Sequence, residues 1–290
     1  MRIALATAIA AFALDEDLPP LLEALRARGH AAEAVAWDDP TVSWARFDLV
    51  LLRSTWNYTD RPVDFLAWCE SVAARTRLSN PPELVRWNTD KRYLSDLARK
   101  GVPVIRSHFL APGDDPDGFP ALAEFVVKPC IGAGSRDTRR YTAPNRATAV
   151  AHASRLLDAG RHVLVQPYLE AVDSAGETAL LFFAGRYSHA IRKGPLLARD
   201  GEATRALFAP EAITAREPSA DEIAVAQRAL AAIPGGAPLY ARVDLLPSPE
   251  GPQLLELELT EPSLFFVTSP GSAARFVAAI EAAMAEPMRA

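Results

Sequence analysis

The chain has only two cysteines, Cys69 and Cys130, in 290 residues. They lie far apart in sequence, so neither a disulfide framework nor zinc-type spacing is present, which fits a reducing compartment such as the cytoplasm. Positive charge is not in excess either. The net charge is −5, which removes any bulk electrostatic case for nucleic acid or an anionic membrane as partner. No apolar run is long enough for a membrane span. The opening MRIALATAIAAF is apolar but short, has a single Arg and is followed by Asp15, Glu16 and Asp17. That pattern predicts a buried first strand rather than a signal peptide. The 24 prolines are scattered, without a low-complexity run. There is no internal repeat and no Ser–His or Cys–His constellation. What remains is ordinary globular composition, 49% hydrophobic and 23% charged, in a chain long enough for one large domain or roughly two to three small ones.

Along the chain, Arg2–Thr7, Ala32–Trp37 and Leu49–Arg53 read as strands and Asp17–Arg28 as a helix stopped at Gly29. Strand–helix–strand order predicts a parallel sheet with crossover helices. The third strand runs into Arg53, Ser54, Thr55, Trp56, Asn57 and Tyr58. Ligands of open α/β sheets sit beyond the carboxyl ends of the strands, so Arg53, Ser54, Thr55, Trp56 and Tyr58 are candidate substrate contacts. The alternative for Trp56 is packing on the next helix, Val63–Ala74. Ser79-Asn80-Pro81-Pro82 reads as a boundary, and Lys91 precedes a helix over Arg92–Lys100.

Two later stretches carry more chemistry. In EFVVKPCIGAGSRDTR, a strand over Phe125–Val127 ends at Lys128-Pro129 and meets the small-residue loop Gly132-Ala133-Gly134-Ser135. Such loops let backbone N–H groups approach a ligand, and a neighbouring lysine supplies a point charge for phosphate. The order is not that of a Walker A loop, because the lysine comes before the glycines. In LYARVDLLPSPEGPQLLELELTEPS, Tyr240–Leu246 and Gln253–Thr260 alternate around a turn. Side chains two apart share a face. If Asp244 faces Glu256, Arg242 faces Glu258, and three carboxylates meet one guanidinium. A divalent cation would relieve the repulsion, and oxygen-only ligands suit Mg²⁺. The alternative is the wet face of an ordinary hairpin. Between these stretches, Ala147–Ala159 and Asp221–Ala232 read as helices, His162–Pro167 as a strand, Asp173–Glu177 as an acidic, flexible segment and Thr178–Ile191 as a hairpin. Arg192-Lys193 then lead into a polar loop to about Phe208, and Ser272–Ala285 is a closing helix.

The joint order of Lys91, Lys128 with its glycine loop, Gln166-Pro167-Tyr168-Leu169-Glu170 and the R-x-D and E-x-E hairpin resembles the ATP-grasp superfamily, in the glutathione synthetase and D-alanine–D-alanine ligase style. The resemblance implies an ATP-grasp α/β (α+β) fold, with an N-terminal parallel α/β domain (1–82), a central subdomain with the glycine loop (83–165) and a C-terminal subdomain with a metal site (166–290). It further implies that Lys91 and Lys128 touch ATP phosphates and that Gly132, Ala133, Gly134 and Ser135 close over them. Gln166, Pro167, Tyr168 and Leu169 would bind the adenine edge, and Asp173 the ribose. Asp244, Glu256 and Glu258 would hold Mg²⁺ or Mn²⁺, although the family commonly has Asn at the last of these positions. Arg242 would steady the transferring phosphate.

For the substrate, Arg53, Arg192 and Lys193 suit a carboxylate and Glu177 an amino group, together an amino-acid-like zwitterion. His189 is either a substrate contact or a half-buried strand histidine. The R-S-T-W-x-Y cluster, the A-I-R-K-G-P segment and E-L-E-L-x-E-P-S are similar to the cycloserine-synthetase type of ATP-grasp protein. That likeness implies ATP-dependent ring closure of an O-ureido-serine through an acyl phosphate, releasing ADP and phosphate, in the cytoplasm and in a plausible homodimer. Intermolecular carboxylate–amine ligation and a nucleotide-binding module without turnover are the alternatives.

Overall fold

Three β-sheets follow one another along the chain in the computed structural model, which describes residues 1–198 and 212–285. Most of the polar loop expected up to Phe208 lies outside the described residues. The first sheet holds β1 (Arg2–Thr7), β2 (Ala31–Ala36), β3 (Leu49–Leu52) and β4 (Arg77–Ser79), all parallel, in the order β2-β1-β3-β4. Helices α1 (Leu18–Ala27) and α2 (Pro62–Ala73) are crossovers. The inner strands are apolar on both faces because helices or other layers cover both. The expected parallel sheet is present, with β4 as an additional strand too short for periodicity to reveal.

Two short helices follow, α3 (Pro82–Asn88) and α4 (Tyr93–Arg99). Pro82 opens α3, a position where the missing N–H costs nothing and the fixed φ suits the helix. The proline pair therefore starts a helix rather than a linker. The second sheet is antiparallel: β5 (His108–Leu110), β6 (Glu124–Pro129), β7 (Arg139–Thr142) and β8 (Val163–Pro167), in the order β5-β8-β6-β7, with α5 (Arg146–Asp158) sharing its core. Because β8 runs to Pro167, it straddles the division expected at 165/166.

After α6 (Val172–Ala175), the third sheet contains β9 (Glu177–Phe183), β10 (Arg186–Lys193), β11 (Ile213–Arg216), β12 (Tyr240–Leu246) and β13 (Gln253–Glu258), in the order β11-β10-β9-β12-β13. The segment 173–177 is thus a helical turn leading into a strand, not an irregular acidic stretch. α7 (Ala220–Ala231) begins with a capping box between Ser219 and Glu222, and α8 (Ser272–Ala285) closes the described chain. The expected hairpin register holds: Asp244 faces Glu256 and Arg242 faces Glu258.

The third sheet is stitched to the first sheet's side of the molecule and to α3 and α4 by side chains that serve as substitute backbone. β13 is an edge strand, and an unpaired edge leaves N–H and C=O groups without partners. Asn88 of α3 donates to Leu257 O and accepts from Leu259 N, both at 2.7 Å, while the Tyr93 hydroxyl accepts from Leu257 N at 2.8 Å. Asn80 does the same for β12, donating to Tyr240 O at 3.0 Å and accepting from Leu239 N at 2.8 Å. The first sheet and α1 share one apolar core with Leu181, Phe183, Phe276 and Ile280. The first eighty or so residues are therefore packed into the rest of the fold, and the loops after β3 are brought against the end of the hairpin.

Candidate active site

A single cleft gathers the glycine loop, the ends of β6 and β8, and the inner face of β9, β10, β12 and β13. Ile105 and Leu246 pack with Tyr168, Leu169 and Leu255, and with Val126, Gln166 and Pro167 these residues give the cleft a mostly apolar slot beside the end of β8. Lys91, Lys128 and the loop Gly132, Ala133, Gly134 and Ser135 line the same cleft. Gly134 and Ser135 have φ of 60° and 58°. This left-handed bend is open to glycine and strained for most other residues. Lys91 Nζ donates to Gly132 O at 2.8 Å, and Arg136 pairs with Asp60, so the loop is tied both to the cleft floor and to the first sheet's side of the molecule.

The hairpin side of the cleft is acidic. Asp244, Glu256 and Glu258 share the inner face of the hairpin with Arg242, as alternation requires. Each carboxylate is engaged by a cation. Lys91 lies 2.9 Å from Glu256, Lys193 lies 2.8 Å from Asp244, Arg242 lies 2.8 Å from Asp244, and Arg242 also pairs with Glu258. Lys193 also sits 2.5 Å from Glu177. Among the described residues no three acidic, histidine or cysteine groups stand close enough to hold a metal ion as they are. The trio nonetheless fits a hard divalent cation by donor chemistry, provided that Lys91 or Lys193 turns away.

Burial and pairing set the charges. Burial opposes ionisation of Asp244, but Arg242 and Lys193 outweigh it and hold the carboxyl well below its usual range. Burial works the same way against Glu256, and Lys91 and Lys128 keep it low. For Glu177 and Glu258 burial prevails and pushes both up to about 7. Lys91 stays above its ordinary value despite burial because Glu256 faces it. Lys128 is lowered by burial and has no ion-pair partner among the described residues. A buried, unpaired ammonium beside a glycine loop is primed for an anion.

The structure brings most of the expected residues to the cleft and leaves six outside it. Arg53 is 1% exposed; its guanidinium donates to the carbonyls of Leu52 and Pro262, so it is a structural clamp rather than a carboxylate binder. Ser54 bonds Thr7 through its hydroxyl at 2.6 Å, and Thr55 is fully buried beside it. His189 is buried, with Nε2 2.8 Å from Leu264 O and Nδ1 2.9 Å from the Ser188 hydroxyl, and burial lowers it to about 4. It is the strand histidine of the two readings. Asp173 pairs with Arg140 at 3.1 Å and accepts from the Tyr168 hydroxyl at 2.5 Å, which binds its carboxylate outside the cleft lining.

Arg192 and Lys193 both belong to β10, not to a loop, and adjacent strand residues point to opposite faces. Lys193 therefore enters the cleft, while Arg192 turns away and donates to Ala175 O at 2.6 Å and Ser174 O at 3.0 Å. Gly176 makes this crossing possible. Its φ is +75°, and a Cβ there would lie 2.5 Å from Lys193 O and 2.8 Å from Arg192 Nε.

Glu261, Ser263 and Phe265 also line the cleft; the first two belong to the E-L-E-L-x-E-P-S segment but were given no role from sequence, and Phe265 was not singled out at all. They follow the hairpin in a non-periodic turn, held by Asp17, whose carboxylate accepts from Leu264, Phe265 and Phe266 N at 2.5, 3.1 and 2.9 Å.

Comparison with known proteins agrees with this geometry. Residues 3–80 match the family model described as the N-terminal domain of D-cycloserine synthetase DcsG. The chain is 46% identical over 292 residues to the cycloserine biosynthesis protein DcsG of Streptomyces lavendulae, covering 96% of this chain and 97% of that protein. The crystal structure of D-cycloserine synthetase DcsG superposes with a TM-score of 0.92 at 44% identity, over 98% of this chain and 100% of that one. D-alanine–D-alanine ligase from Bacillus anthracis, bound to ATP, shares the fold with a TM-score of 0.66 at 14% identity, over 98% of this chain and 97% of that one. The shared fold, the cleft and the identity over nearly the full length place the chain in the D-cycloserine synthetase family of ATP-grasp ligases.

Proposed function

We propose that the protein closes O-ureido-D-serine into D-cycloserine at the expense of ATP, releasing ADP and phosphate. The observation that carries this reading is the cleft itself. An apolar slot, two lysines with a left-handed glycine loop and a carboxylate-rich hairpin line one cleft. Those are the surroundings that an adenine, a triphosphate and its counter-charge require.

In this reading Gln166 to Leu169 hold the adenine edge. Lys91, Lys128 and the Gly132–Ser135 backbone hold the phosphates, and Arg242 faces the transferring group. The loose, charge-rich transition state of phosphoryl transfer needs such fixed positive charge and little else. Asp244, Glu256 and Glu258 are the residues that would hold Mg²⁺ or Mn²⁺. When bound, the ion would neutralise charge on the phosphate oxygens. Lys91 is the residue with two tasks. It pairs with Glu256 at 2.9 Å and reaches the glycine loop at 2.8 Å, so a nucleotide phosphate would draw it off Glu256 and free that carboxylate. The substrate carboxylate attacks the γ-phosphate and expels ADP; the oxygen-bound ureido nitrogen then attacks the activated carbonyl and expels phosphate, and after ring closure water removes the carbamoyl group left on that nitrogen as carbon dioxide and ammonia. An acyl phosphate hydrolyses in water, so the loop, tied through Arg136 to Asp60, keeps solvent out.

The test is chromatography of nucleotide products with ATP, Mg²⁺ and O-ureido-D-serine. The expected result is ADP and phosphate formed only with substrate, and lost in Lys128→Ala and Glu256→Gln. AMP with pyrophosphate would overturn the phosphoryl-transfer reading. Turnover like that of the wild type in both variants would overturn the site assignment.

A further inference from the structure

Five carboxyl groups face the cleft: Glu177, Asp244, Glu256, Glu258 and Glu261. The first four each have a lysine or arginine against them. Glu261 differs. It is 9% exposed, its carboxyl takes a hydrogen bond from the Tyr58 hydroxyl, and among the described residues no cation pairs with it. Its backbone is fixed from the first sheet's side of the molecule. Trp56 Nε1 donates to the Glu261 carbonyl at 3.3 Å, and the Arg53 guanidinium donates to the carbonyl of the next residue, Pro262. Two side chains of one short stretch, Trp56 and Tyr58, thus converge on Glu261, and a third, Arg53, holds the residue after it.

A buried carboxylate without a counter-charge is costly unless a ligand brings one. We infer that Glu261 is the anchor for the substrate's α-ammonium group, with Tyr58 orienting the carboxyl and Trp56 and Arg53 fixing its backbone. The inference rests on the amino-acid substrate proposed above and names the residue that selects it. Glu177, the acid expected to hold an amino group, is already met by Lys193 at 2.5 Å. Burial, with Glu258 nearby, raises Glu261 to about 8, and Lys91, which is paired with Glu256 instead, offsets this only in part. Trp56, which touches Glu261, and Phe265 also line the cleft and would wall the ammonium from bulk water, which strengthens a charge pair.

Calorimetry on the full chain, saturated with Mg²⁺ and a non-hydrolysable ATP analogue, tests this. The ligands are O-ureido-D-serine and its des-amino counterpart, 3-(ureidooxy)propanoate, which lacks only the ammonium group. The wild type is expected to prefer the amino ligand by about tenfold to hundredfold, the usual worth of a hydrogen-bonded charged group. In Glu261→Gln, which keeps shape and loses charge, the preference is expected to shrink to about threefold or less, with affinity for the des-amino ligand retained. Equal weakening of both ligands, with the preference intact, is what a merely structural glutamate would give and would overturn the anchor alone. Binding of neither ligand by the wild type would overturn the substrate reading and the anchor with it.

Discussion

Replacing Lys193 by Met removes one ammonium while keeping most of its aliphatic bulk. Lys193 Nζ lies 2.8 Å from Asp244 Oδ2 and 2.5 Å from Glu177 Oε1, and all three side chains are largely buried. At 2.8 Å and an effective dielectric of about 20, the attraction to one carboxylate is about 6 kcal/mol before desolvation is counted. Breaking one side of a buried pair costs about 3–5 kcal/mol net, because the remaining charge stays buried. The two acids respond differently. Asp244 keeps Arg242 at 2.8 Å and stays ionised, so its share of the loss is constant between pH 5 and pH 9.

Glu177 stands at about 7 even with Lys193 present, because burial outweighs the pair. Without Lys193 it rises further. A carboxyl raised above its unfolded value of 4.5 costs no stability while both states are protonated, and it loses stability as pH climbs through the folded value. The deficit of Lys193→Met relative to wild type is therefore about 3–5 kcal/mol and widens above pH 7. Urea unfolding of the ligand-free protein at pH 5.5 and pH 8.5 measures it. Adding Glu177→Gln should recover the part that depends on pH. A deficit under about 1 kcal/mol at both pH values, the worth of an exposed pair, or one that shrinks as pH rises, would refute the reasoning.

Three further perturbations follow from the same geometry. Gly176→Ala forces a Cβ to within 2.5 Å of the Lys193 carbonyl at a φ of +75°, so a loss of about 2 kcal/mol or more is expected in thermal melts. Asp17→Ala strands three backbone N–H groups, those of Leu264 and Phe266 buried and that of Phe265 part-buried, and should cost about 3–6 kcal/mol in urea, with Asp17→Asn intermediate. His152 and His189 are both lowered by burial to about 4 from 6.5. Their contribution is present above pH 6.5 and is lost as pH falls through that value toward 4, with proton uptake on unfolding. A loss on the order of 2–3 kcal/mol per imidazole is expected, visible as a falling urea midpoint that flattens in His189→Gln.

The hairpin was legible in sequence because strand alternation and a turn fix which side chains meet. Arg242 facing Glu258 and Asp244 facing Glu256 needed only the period and the turn. Lys91, Lys128 and the glycine loop were legible for a similar reason, each sitting at the end of an element whose type was clear. Arg53 misled because an arginine at the end of a strand looks the same whether it binds a ligand or a carbonyl 209 residues away. Arg192 and Lys193 misled because β10 runs two residues longer than its apolar pattern, and only the strand's alternation separates the cleft residue from its neighbour. Glu261 had no period to mark it, and the E-L-E-L-x-E-P-S segment that contains it carried a likeness without a role for this residue. The role inferred for it depends on Tyr58 and on having no ion-pair partner among the described residues, and neither can be read from local sequence. β4 and β5, three residues each, are too short for alternation to register.

The central claim is that the substrate's own carboxylate is phosphorylated. O-ureido-D-serine labelled with ¹⁸O in both carboxylate oxygens, turned over with ATP and Mg²⁺, tests it most directly. The account predicts one ¹⁸O in each phosphate released, carried over when nitrogen displaces the phosphoryl group from the carbonyl carbon. Ring product formed alongside unlabelled phosphate would contradict it, because activation would then have taken place at another atom.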